Sequence, residues 1–258
     1  MRFAADELSQ DLFLGGALEI LQPKTGYRAG VDPVLLAASV PAAAGDTVLE
    51  LGCGAGVASM CVASRLKEVA LCGVEMQAAY ADLARRNADA NGVRMEVHCA
   101  DLRNLPDAVL QQDFDHVIAN PPYYLRNAGT AASDVGRDAA LVEGTPLADW
   151  IEVATRRLKP KGYLTVIQDA ERLPALLAAI DGRLGNIKVL PLAPRIARPA
   201  HMVILQARKG GRAAFRLLAP TVMHEGATHD GDRENYTQQI RAILRDGAAM
   251  PLDGVKTK

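Results

Sequence analysis

The amino-acid sequence predicts an α/β fold, in which a mostly parallel seven-stranded sheet carries helices on both faces and has one antiparallel strand near an edge. Short apolar runs alternate with helix-like patterns along the chain, which is typical of a parallel sheet. Hydrophobic residues make up 49% of the chain and aromatic residues 4%, a balance that favours α/β layers over an all-β sandwich. No helix pattern separates the last two apolar runs, so the final strand is expected to return antiparallel.

The N-terminal region is expected to form a short hairpin followed by a helix. Within residues 10–28, two short strands are predicted around a glycine-rich turn. Residues 31–40 have a helical pattern, with Asp32 as the expected N-cap and Pro33 at the first helical position. This hairpin and helix precede the alternating part of the chain.

The central part of the chain supplies the strands and helices of the predicted sheet. The expected strands are residues 47–51, 69–74, 94–98, 114–119, 163–168, 186–191 and 201–207. The expected helices are residues 57–66, 77–91, 147–158 and 171–181. We interpret the chain as a single domain with an N-terminal extension, a core and a C-terminal tail, at residues 1–45, 46–220 and 221–258. The polar segment 124–145 is long for a loop, and loops of that length are usually functional.

The sequence indicates a cytoplasmic protein without a membrane span. No stretch approaches the roughly 18 uninterrupted apolar residues that a membrane helix needs. A signal peptide would place its apolar run near the N-terminus, where this chain has Asp6, Glu7 and Asp11. Export is therefore not expected.

The cysteine pattern indicates neither a metal site nor disulfides. The four cysteines have no CxxC or Cys/His spacing; they are Cys53, Cys61, Cys72 and Cys99. All four fall in predicted core strands or in the adjoining turn and helix. We therefore expect buried free thiols, as in a reducing compartment, and no bound metal.

One segment of the chain is strongly basic, although the net charge is −1. Between residues 183 and 217 there are basic residues and no Asp or Glu; they are Arg183, Lys188, Arg195, Arg198, Arg208, Lys209, Arg212 and Arg216. Such a segment suits contact with a phosphate backbone, and it is equally compatible with an ordinary solvated edge.

A glycine-rich turn follows the first core strand. It reads Glu50-Leu51-Gly52-Cys53-Gly54-Ala55-Gly56, and its glycines are spaced GxGxG. A chain that leaves a strand and enters a helix at once needs positive φ angles and no Cβ where a ligand approaches. The spacing differs from the GxGxxG of dinucleotide sites. We expect this shorter turn to hold the amino-acid part of S-adenosylmethionine, whose carboxylate suits exposed backbone N–H groups.

Acidic residues stand at the ends of the next two predicted strands. Glu75 follows the second strand, where a carboxylate can accept both hydroxyls of an adenosine ribose. Asp101 follows the third strand and can accept a hydrogen bond from an adenine amino group. Each alone is compatible with a helix N-terminal acid or a turn residue. Together with the glycines, they predict a ligand crevice at the carboxyl edge of the sheet.

The segment Asn120-Pro121-Pro122-Tyr123 is the most specific feature of the sequence. It follows an apolar strand, and its two prolines fix φ and remove two N–H donors. The Asn120 side-chain oxygen and the Pro121 carbonyl are then two acceptors that can hold the two N–H groups of a planar amine. The lone pair of that amine is delocalised, and holding both N–H groups orients it toward an electrophile. Tyr123 supplies a flat face for stacking.

With both motifs, the chain resembles the class I, Rossmann-like methyltransferases of the N6-adenine and N5-glutamine type. Within these it is most similar to the bacterial family that methylates adenine N6 beside the anticodon of a valine tRNA. The resemblance extends over most of the chain, through SQDLFLGGALEILQPKTGYRAGVDPVLLAAS (9–39), ELGCGAG, NPPY and LQARKGGRAAFRLLAP (205–220). In segment 124–145 we recognise no family signature.

The resemblance implies a role for individual residues. The acceptor base would be held by Asn120, Pro121 and Tyr123. S-adenosylmethionine would be bound by Glu50, Gly52, Gly54, Gly56, Glu75, Asp101 and Asn120, with Arg28 and Asp32 closing over it from the N-terminal flank. The implied substrate is RNA, most specifically an anticodon loop, and the basic segment 183–217 would contact it.

The sequence leaves other functions open. Methylation of a glutamine side chain in a protein such as a release factor would use the same Asn-Pro-Pro-Tyr segment, because a carboxamide is also planar. Fewer than fifty residues precede Glu50, whereas those enzymes usually carry a separate N-terminal helical domain. A DNA methyltransferase is disfavoured because the chain shows no extra target-recognition domain. A dehydrogenase is disfavoured by the glycine spacing. A non-catalytic binding protein is disfavoured by the intact motifs.

Overall fold

A computed structural model describes residues 2–122, 145–226 and 235–252, and it confirms the predicted α/β class. Within these residues, a two-stranded hairpin precedes a nine-stranded sheet. The strands are β1 (Leu8–Phe13), β2 (Leu18–Pro23), β3 (Thr47–Leu51), β4 (Ala70–Glu75), β5 (Met95–Cys99), β6 (Phe114–Ala119), β7 (Leu158–Asp169), β8 (Leu184–Ala193), β9 (Met202–Lys209), β10 (Arg216–Leu217) and β11 (Thr221–Val222).

Helices cover both faces of the sheet. They are α1 (Asp32–Ser39), α2 (Val57–Arg65), α3 (Ala78–Ala90), α4 (Asp107–Leu110), α5 (Leu147–Arg157), α6 (Leu173–Ala179) and α7 (Gln238–Asp246). Helix α1 begins at Asp32 with Val31 as its N-cap, so Asp32 lies in the first turn and is not the cap that the sequence predicted. Among the helices that the structure describes, none has the length and apolarity to cross a membrane.

The central sheet is parallel except at one strand. Strands β5, β4, β3, β6 and β7 are neighbours in that order and run parallel. Strand β9 then runs antiparallel between β7 and β8, as predicted for a strand near an edge. The short strands β10 and β11 pair with the outer side of β8. The predicted seven-stranded sheet is therefore present as β3 to β9, with two short additions.

Several boundaries differ from the prediction, and two of them lie beside prolines. Strand β7 begins at Leu158, ahead of the predicted start at residue 163, and Pro160 lies inside it. The pairing with β6 shifts register there, and Lys161 has φ of 70°, so the proline stands where the ladder is already interrupted. Helix α6 begins only at Leu173 because the adjacent proline suits a helix's first turn.

Helix α3 links the N-terminal hairpin to the glycine-rich turn. The buried Asn87 accepts a hydrogen bond from Leu21 N (2.8 Å) and donates to Leu21 O (3.0 Å). Its amide also donates to Ala55 O at 3.1 Å. One buried side chain thus holds strand β2 and the turn that follows β3 in a fixed relation.

The described part of the C-terminal region packs against the N-terminal helix. Met250 N donates to Ala38 O at 2.7 Å, and Ile240 and Ile243 of α7 belong to the same apolar cluster as α1. A Cβ at Gly15 would lie 2.8 Å from Arg245 O, so the hairpin turn also fits closely against the end of α7. Residues 221–258, which we interpreted from the sequence as a C-terminal tail, therefore include packed segments.

The basic segment does not form one surface. Lys188 and Arg195 are buried, at 1% and 8% exposure. Arg208 pairs in register with Tyr163 near the start of β7, whereas Arg198 lies in the connection that follows the other end of β8. The segment crosses the sheet on two strands, so its charges are divided between opposite edges. Within the described residues these charges therefore do not form one continuous face, and the contact of the segment with RNA stays a prediction.

The cysteine prediction holds for three residues. Cys53, Cys61 and Cys72 are free and buried, and burial raises the pKa of both Cys61 and Cys72 to about 12. Cys99 is exposed, contrary to the prediction, because it ends β5 at the outer edge of the sheet.

Asp115 fastens the starts of three neighbouring strands. Its carboxylate accepts hydrogen bonds from Thr47 N (2.9 Å), Thr47 Oγ1 (2.8 Å) and Lys159 Nζ (2.8 Å). Partial burial acts against ionisation, but these bonds outweigh it and lower the pKa of Asp115 to about 2. Because the pKa is lower in the folded state, the ionised Asp115 stabilises the fold at pH values above its unfolded pKa of 3.8. This stabilisation is lost as the pH falls toward 2.

We expect Asp115→Ala to lower the free energy of unfolding by about 2 kcal/mol at pH 7. The difference from the wild type should shrink as the pH falls below 4, which denaturant titrations at several pH values would measure. Asp113→Ala, at an exposed neighbour, is the matched control. Equal losses in both variants would contradict the role given to Asp115.

Candidate active site

A cavity of about 470 Å³ opens at the carboxyl edge of the sheet. The chain adds β4 and β5 on one side of β3 and β6 on the other, and such a switch point leaves a crevice where ligands bind. The cavity brings together most of the residues predicted from the sequence; its lining includes Arg28, Asp32, Glu50, Gly52, Gly54, Glu75, Asp101, Asn120 and Pro121.

Two predicted residues are not placed in the lining. Gly56 is the N-cap of α2 with φ of 83°, and a Cβ there would lie 3.3 Å from Met60 and 3.4 Å from Ala84. Its lack of a side chain therefore serves the packing of α2 against α3. Tyr123 lies outside the described residues, so its stacking role stays a prediction.

The first glycine of the turn is required by close packing. Gly52 has φ of 65°, and a Cβ there would lie 2.5 Å from the Cη2 atom of Trp150. Trp150 belongs to α5 on the other face of the sheet, lines the cavity, and donates its indole N–H to Thr145 O at 3.3 Å. No motif marked Trp150 in the sequence, although it is the chain's single tryptophan.

Glu75 fastens the turn to strand β4. One carboxylate oxygen accepts from Gly54 N (2.9 Å) and the other from Gln77 N (2.8 Å). Burial raises the pKa of Glu75, although the bonds from Gln77 and Gly54 act in the opposite direction. Each carboxylate oxygen has further lone-pair capacity, so the fixed carboxylate can still accept ribose hydroxyls.

Glu50 is a buried acid on the floor of the cavity. Its carboxylate accepts from Ser59 N (3.0 Å) and Ser59 Oγ (2.5 Å), a partner that sequence reasoning missed. Burial raises the pKa of Glu50 to about 7, against the bonds from Ser59 and with a smaller contribution from Glu75. A cationic ligand would favour the ionised form. This acidic floor fits S-adenosylmethionine, which carries a sulfonium and an ammonium group.

The charged groups of Arg28 and Asp101 are engaged with neighbouring residues. Arg28 donates to Asp11 (2.6 Å), Ser9 (2.7 Å) and Pro23 O (2.8 Å), so its guanidinium ties the cavity loop to the hairpin. The Asp101 carboxylate accepts from the backbone and guanidinium of Arg103, which lowers its pKa. Both residues line the cavity, and their direct contacts with a cofactor remain predictions.

Tyr27 covers the glycine turn from the N-terminal loop. A Cβ at Gly54 would lie 3.6 Å from the Tyr27 ring, and the Tyr27 carbonyl accepts from the Tyr80 hydroxyl at 3.0 Å. Burial of its hydroxyl raises the pKa of Tyr27, to which the charges of Asp32 and Glu50 add. Sequence reasoning missed Tyr27, whose position directly before Arg28 was the available signal.

The end of β6 supplies the opposite wall. Asn120, Pro121 and Pro122 all line the cavity. The Pro121 carbonyl accepts a hydrogen bond from the Gln168 side chain at 3.2 Å, a contact absent from the sequence prediction. Two potential hydrogen-bond acceptors thus lie across the switch point from the glycine turn. A planar amine that receives a methyl group needs this arrangement.

Metal chemistry has no evident ligand set in this part of the structure. Among residues 2–122, 145–226 and 235–252, no group of three or more His, Cys, Asp and Glu side chains is placed to hold an ion. The groups that line the cavity suit an organic cation with hydroxyls.

Comparison with known proteins decides the family. The Methyltransferase small domain family matches residues 29–191, which is more than half of the chain. The chain belongs to this family. A relative from Yersinia pestis (strain Pestoides F), the tRNA1(Val) (adenine(37)-N6)-methyltransferase, is 28% identical over 207 residues, which cover 78% of this chain and 82% of the relative. The chain is therefore a methyltransferase that uses S-adenosylmethionine.

Solved structures agree with this methyltransferase fold. A protein from Agrobacterium tumefaciens, described as a predicted O-methyltransferase, is 28% identical with a TM-score of 0.69, covering 85% of this chain and 98% of its own. The 16S rRNA N2 G1207 methyltransferase of T. thermophilus, solved with AdoMet and guanosine, has 20% identity and a TM-score of 0.53, covering 78% and 50%. The second likeness concerns the fold alone.

We expect Gly52→Ala to weaken S-adenosylmethionine binding at least about 10-fold, equivalent to about 1.4 kcal/mol, because the new Cβ displaces Trp150 from the cavity wall. Calorimetric titration measures the affinity. Gly92→Ala is the matched control, since Gly92 has a similar φ of 63° and nothing within 4 Å of an added Cβ. A normal affinity in Gly52→Ala would refute this cavity as the cofactor site.

Glu50→Gln should stabilise the cofactor-free methyltransferase while weakening cofactor binding. The pKa of Glu50 is about 7 in the folded state and 4.5 in the unfolded state. Its protonated form therefore stabilises the fold below pH 4.5, and this stabilisation is lost as the pH rises through 7. At pH 8 the variant avoids a buried charge and should gain up to about 3 kcal/mol, with no gain near pH 4.5. Thermal unfolding and calorimetric titration check the two effects. In the control, exposed Glu68→Gln, neither should change, and a pH-independent gain would contradict the assignment.

Proposed function

We propose that this methyltransferase acts on the exocyclic N6 amine of an adenine in tRNA, most specifically in the anticodon loop. The observation that carries the proposal is the placement of Asn120 and Pro121 in the cofactor cavity, across the switch point from the glycine turn. The name of the Yersinia pestis relative, an adenine-N6 methyltransferase of tRNA1(Val), supports the same acceptor. A cytoplasmic location accords with a tRNA substrate.

The residues of the cavity suit this acceptor chemically. When bound, S-adenosylmethionine supplies an electrophilic methyl group on a sulfonium. The Asn120 side-chain oxygen and the Pro121 carbonyl hold the two N–H groups of the adenine amine, which turns its lone pair toward the methyl group. A strong base is unnecessary, because the amine proton becomes acidic as the new N–C bond forms and can leave to water.

An unpaired loop suits the geometry of the cavity. The acceptor base must be turned out of its strand to enter the cavity, and this costs least in a loop that is already single-stranded. The connection between β8 and β9 lies at the same edge of the sheet as the cavity and exposes Arg198, which suits contact with a phosphate. This edge, and not the whole basic segment, is the surface we assign to RNA.

Asn120→Ala should lower the rate constant of methyl transfer about 100- to 1000-fold while S-adenosylmethionine affinity stays within a few-fold of normal. Single-turnover transfer and calorimetric titration separate the two quantities. Asn104→Ala, at an exposed residue outside the cavity lining, is the control and should transfer methyl normally. Full activity in Asn120→Ala would remove the proposed mechanism.

The substrate class is tested by transferring radiolabelled methyl to total tRNA from a strain that lacks this protein, followed by nucleoside analysis. Label in N6-methyladenosine supports the proposal, and fractionation of the tRNA then identifies the species. Label that enters glutamine of a protein fraction and not tRNA would overturn it in favour of protein methylation.

A further inference from the structure

Gln168 is a buried polar residue near the end of β7 with no role in the proposed mechanism. It is fully buried at 0% exposure and follows the part of β7 that pairs with β6. Its amide nitrogen donates to Pro121 O at 3.2 Å, and its amide oxygen accepts from Asp169 N at 2.8 Å. It does not line the cavity, so any effect on the acceptor passes through Pro121.

The orientation of this amide is determined by its two partners. The backbone N–H of Asp169 can only donate, so it must face the Gln168 oxygen. The carbonyl of Pro121 can only accept, so it must face the nitrogen. If the oxygen and nitrogen were exchanged, the amide nitrogen would face the Asp169 N–H and the amide oxygen would face the Pro121 carbonyl. Both contacts would be strongly unfavourable in a buried place.

The Pro121 carbonyl needs such a partner because its own backbone leaves one torsion undetermined. Both prolines fix φ, so the ψ angle of Pro121 decides where its carbonyl points. The following proline limits this angle to the extended range without choosing a value inside it. A carbonyl oxygen has two lone pairs, and Gln168 occupies one while leaving the other for a donor in the cavity.

From this contact we infer that Gln168 is a positioning residue that aims the Pro121 carbonyl at the acceptor amine. The inference rests on the proposed function, in which Pro121 holds that amine. Gln168 binds neither cofactor nor base, and its removal should therefore change the rate of transfer and not the affinity for S-adenosylmethionine.

Two substitutions test this role in the full-length protein, with radiolabelled S-adenosylmethionine and the unmodified tRNA pool. Gln168→Met removes the donor and should lower kcat on the order of 100-fold at every pH. Gln168→Glu retains the donor only when its carboxyl is protonated, since the acid then donates to Pro121 and accepts from Asp169. Its kcat relative to the wild type should be near one at the acid end of a pH 5.5–9.5 series and fall at least about 10-fold as the carboxylate forms.

Gln206 provides the matched control. It is buried on β9, and its amide donates to Ser39 O at 3.2 Å while its oxygen lies 3.5 Å from Lys188 Nζ. Gln206→Glu makes the same chemical change away from Pro121, so its kcat relative to the wild type should not depend on pH. Affinity for S-adenosylmethionine, followed by the fluorescence of Trp150 in the cavity wall, should be normal in all three variants.

The outcomes separate this inference from the proposed function. Wild-type kcat in Gln168→Met, or a pH-independent ratio in Gln168→Glu, would overturn the positioning role, as would a loss of cofactor affinity in both variants. If Asn120→Ala also transfers methyl normally, or the wild type leaves tRNA unlabelled, the proposed function itself fails. Loss in Asn120→Ala with normal Gln168 variants would overturn only the inference.

Discussion

The burial of two carboxylates beneath the glycine turn is the constraint on which the site depends. Glu75 is 7% exposed and fixes Gly54, while Glu50 is 4% exposed and fixes the first turn of α2 through Ser59. Burying a carboxylate opposes its ionisation, which is why the pKa values of both groups are raised. The cofactor-free protein therefore carries a charge arrangement that a cationic ligand stabilises. We expect such a ligand to favour the ionised carboxylates, which would contribute to its binding free energy.

Contacts from both faces of the sheet hold the glycine turn in place. On one face, Asn87 of α3 binds the turn at Ala55 and the hairpin at Leu21. On the other face, Trp150 of α5 approaches Gly52 so closely that no side chain could be placed there. The conformation of the turn is therefore held by contacts from α3 and α5 as well as by its own glycines. This explains how a five-residue motif spaced GxGxG can present a rigid surface to a ligand.

The sequence predicted those parts of the site in which a reactive side chain lies at the end of a recognisable strand. Glu75 ends an apolar strand and Asn120-Pro121 follows another, so their place at the carboxyl edge follows from the parallel topology. The missed contacts join distant segments, as in the bond between Gln168 and Pro121, which are separated by 47 positions. No local pattern distinguishes such a glutamine from a solvated one, because its burial depends on which strands become neighbours.

The basic segment shows that residues close in sequence need not form one surface. Strand β9 has eight residues and carries the chain about 26 Å across the sheet. Charges that are close in sequence, such as Arg198 and Arg208, therefore lie near opposite edges. Charge counting along a chain identifies a surface only where the backbone stays on one side of the molecule.

The topology also explains why positioning can replace acid–base catalysis in the proposed reaction. Strands β3 and β4 carry acids that suit the cofactor. Asn120 and Pro121 follow β6, and Gln168 near the end of β7 binds Pro121. Because β3 and β6 are adjacent, the two sets meet at the switch point without a long connecting loop. An aromatic amine gains acidity only as its new bond forms, so a base acting earlier would contribute little. In the proposed mechanism the reaction is accelerated by the fixed direction of two hydrogen-bond acceptors, which the prolines and a buried amide would supply at a small cost in conformational entropy.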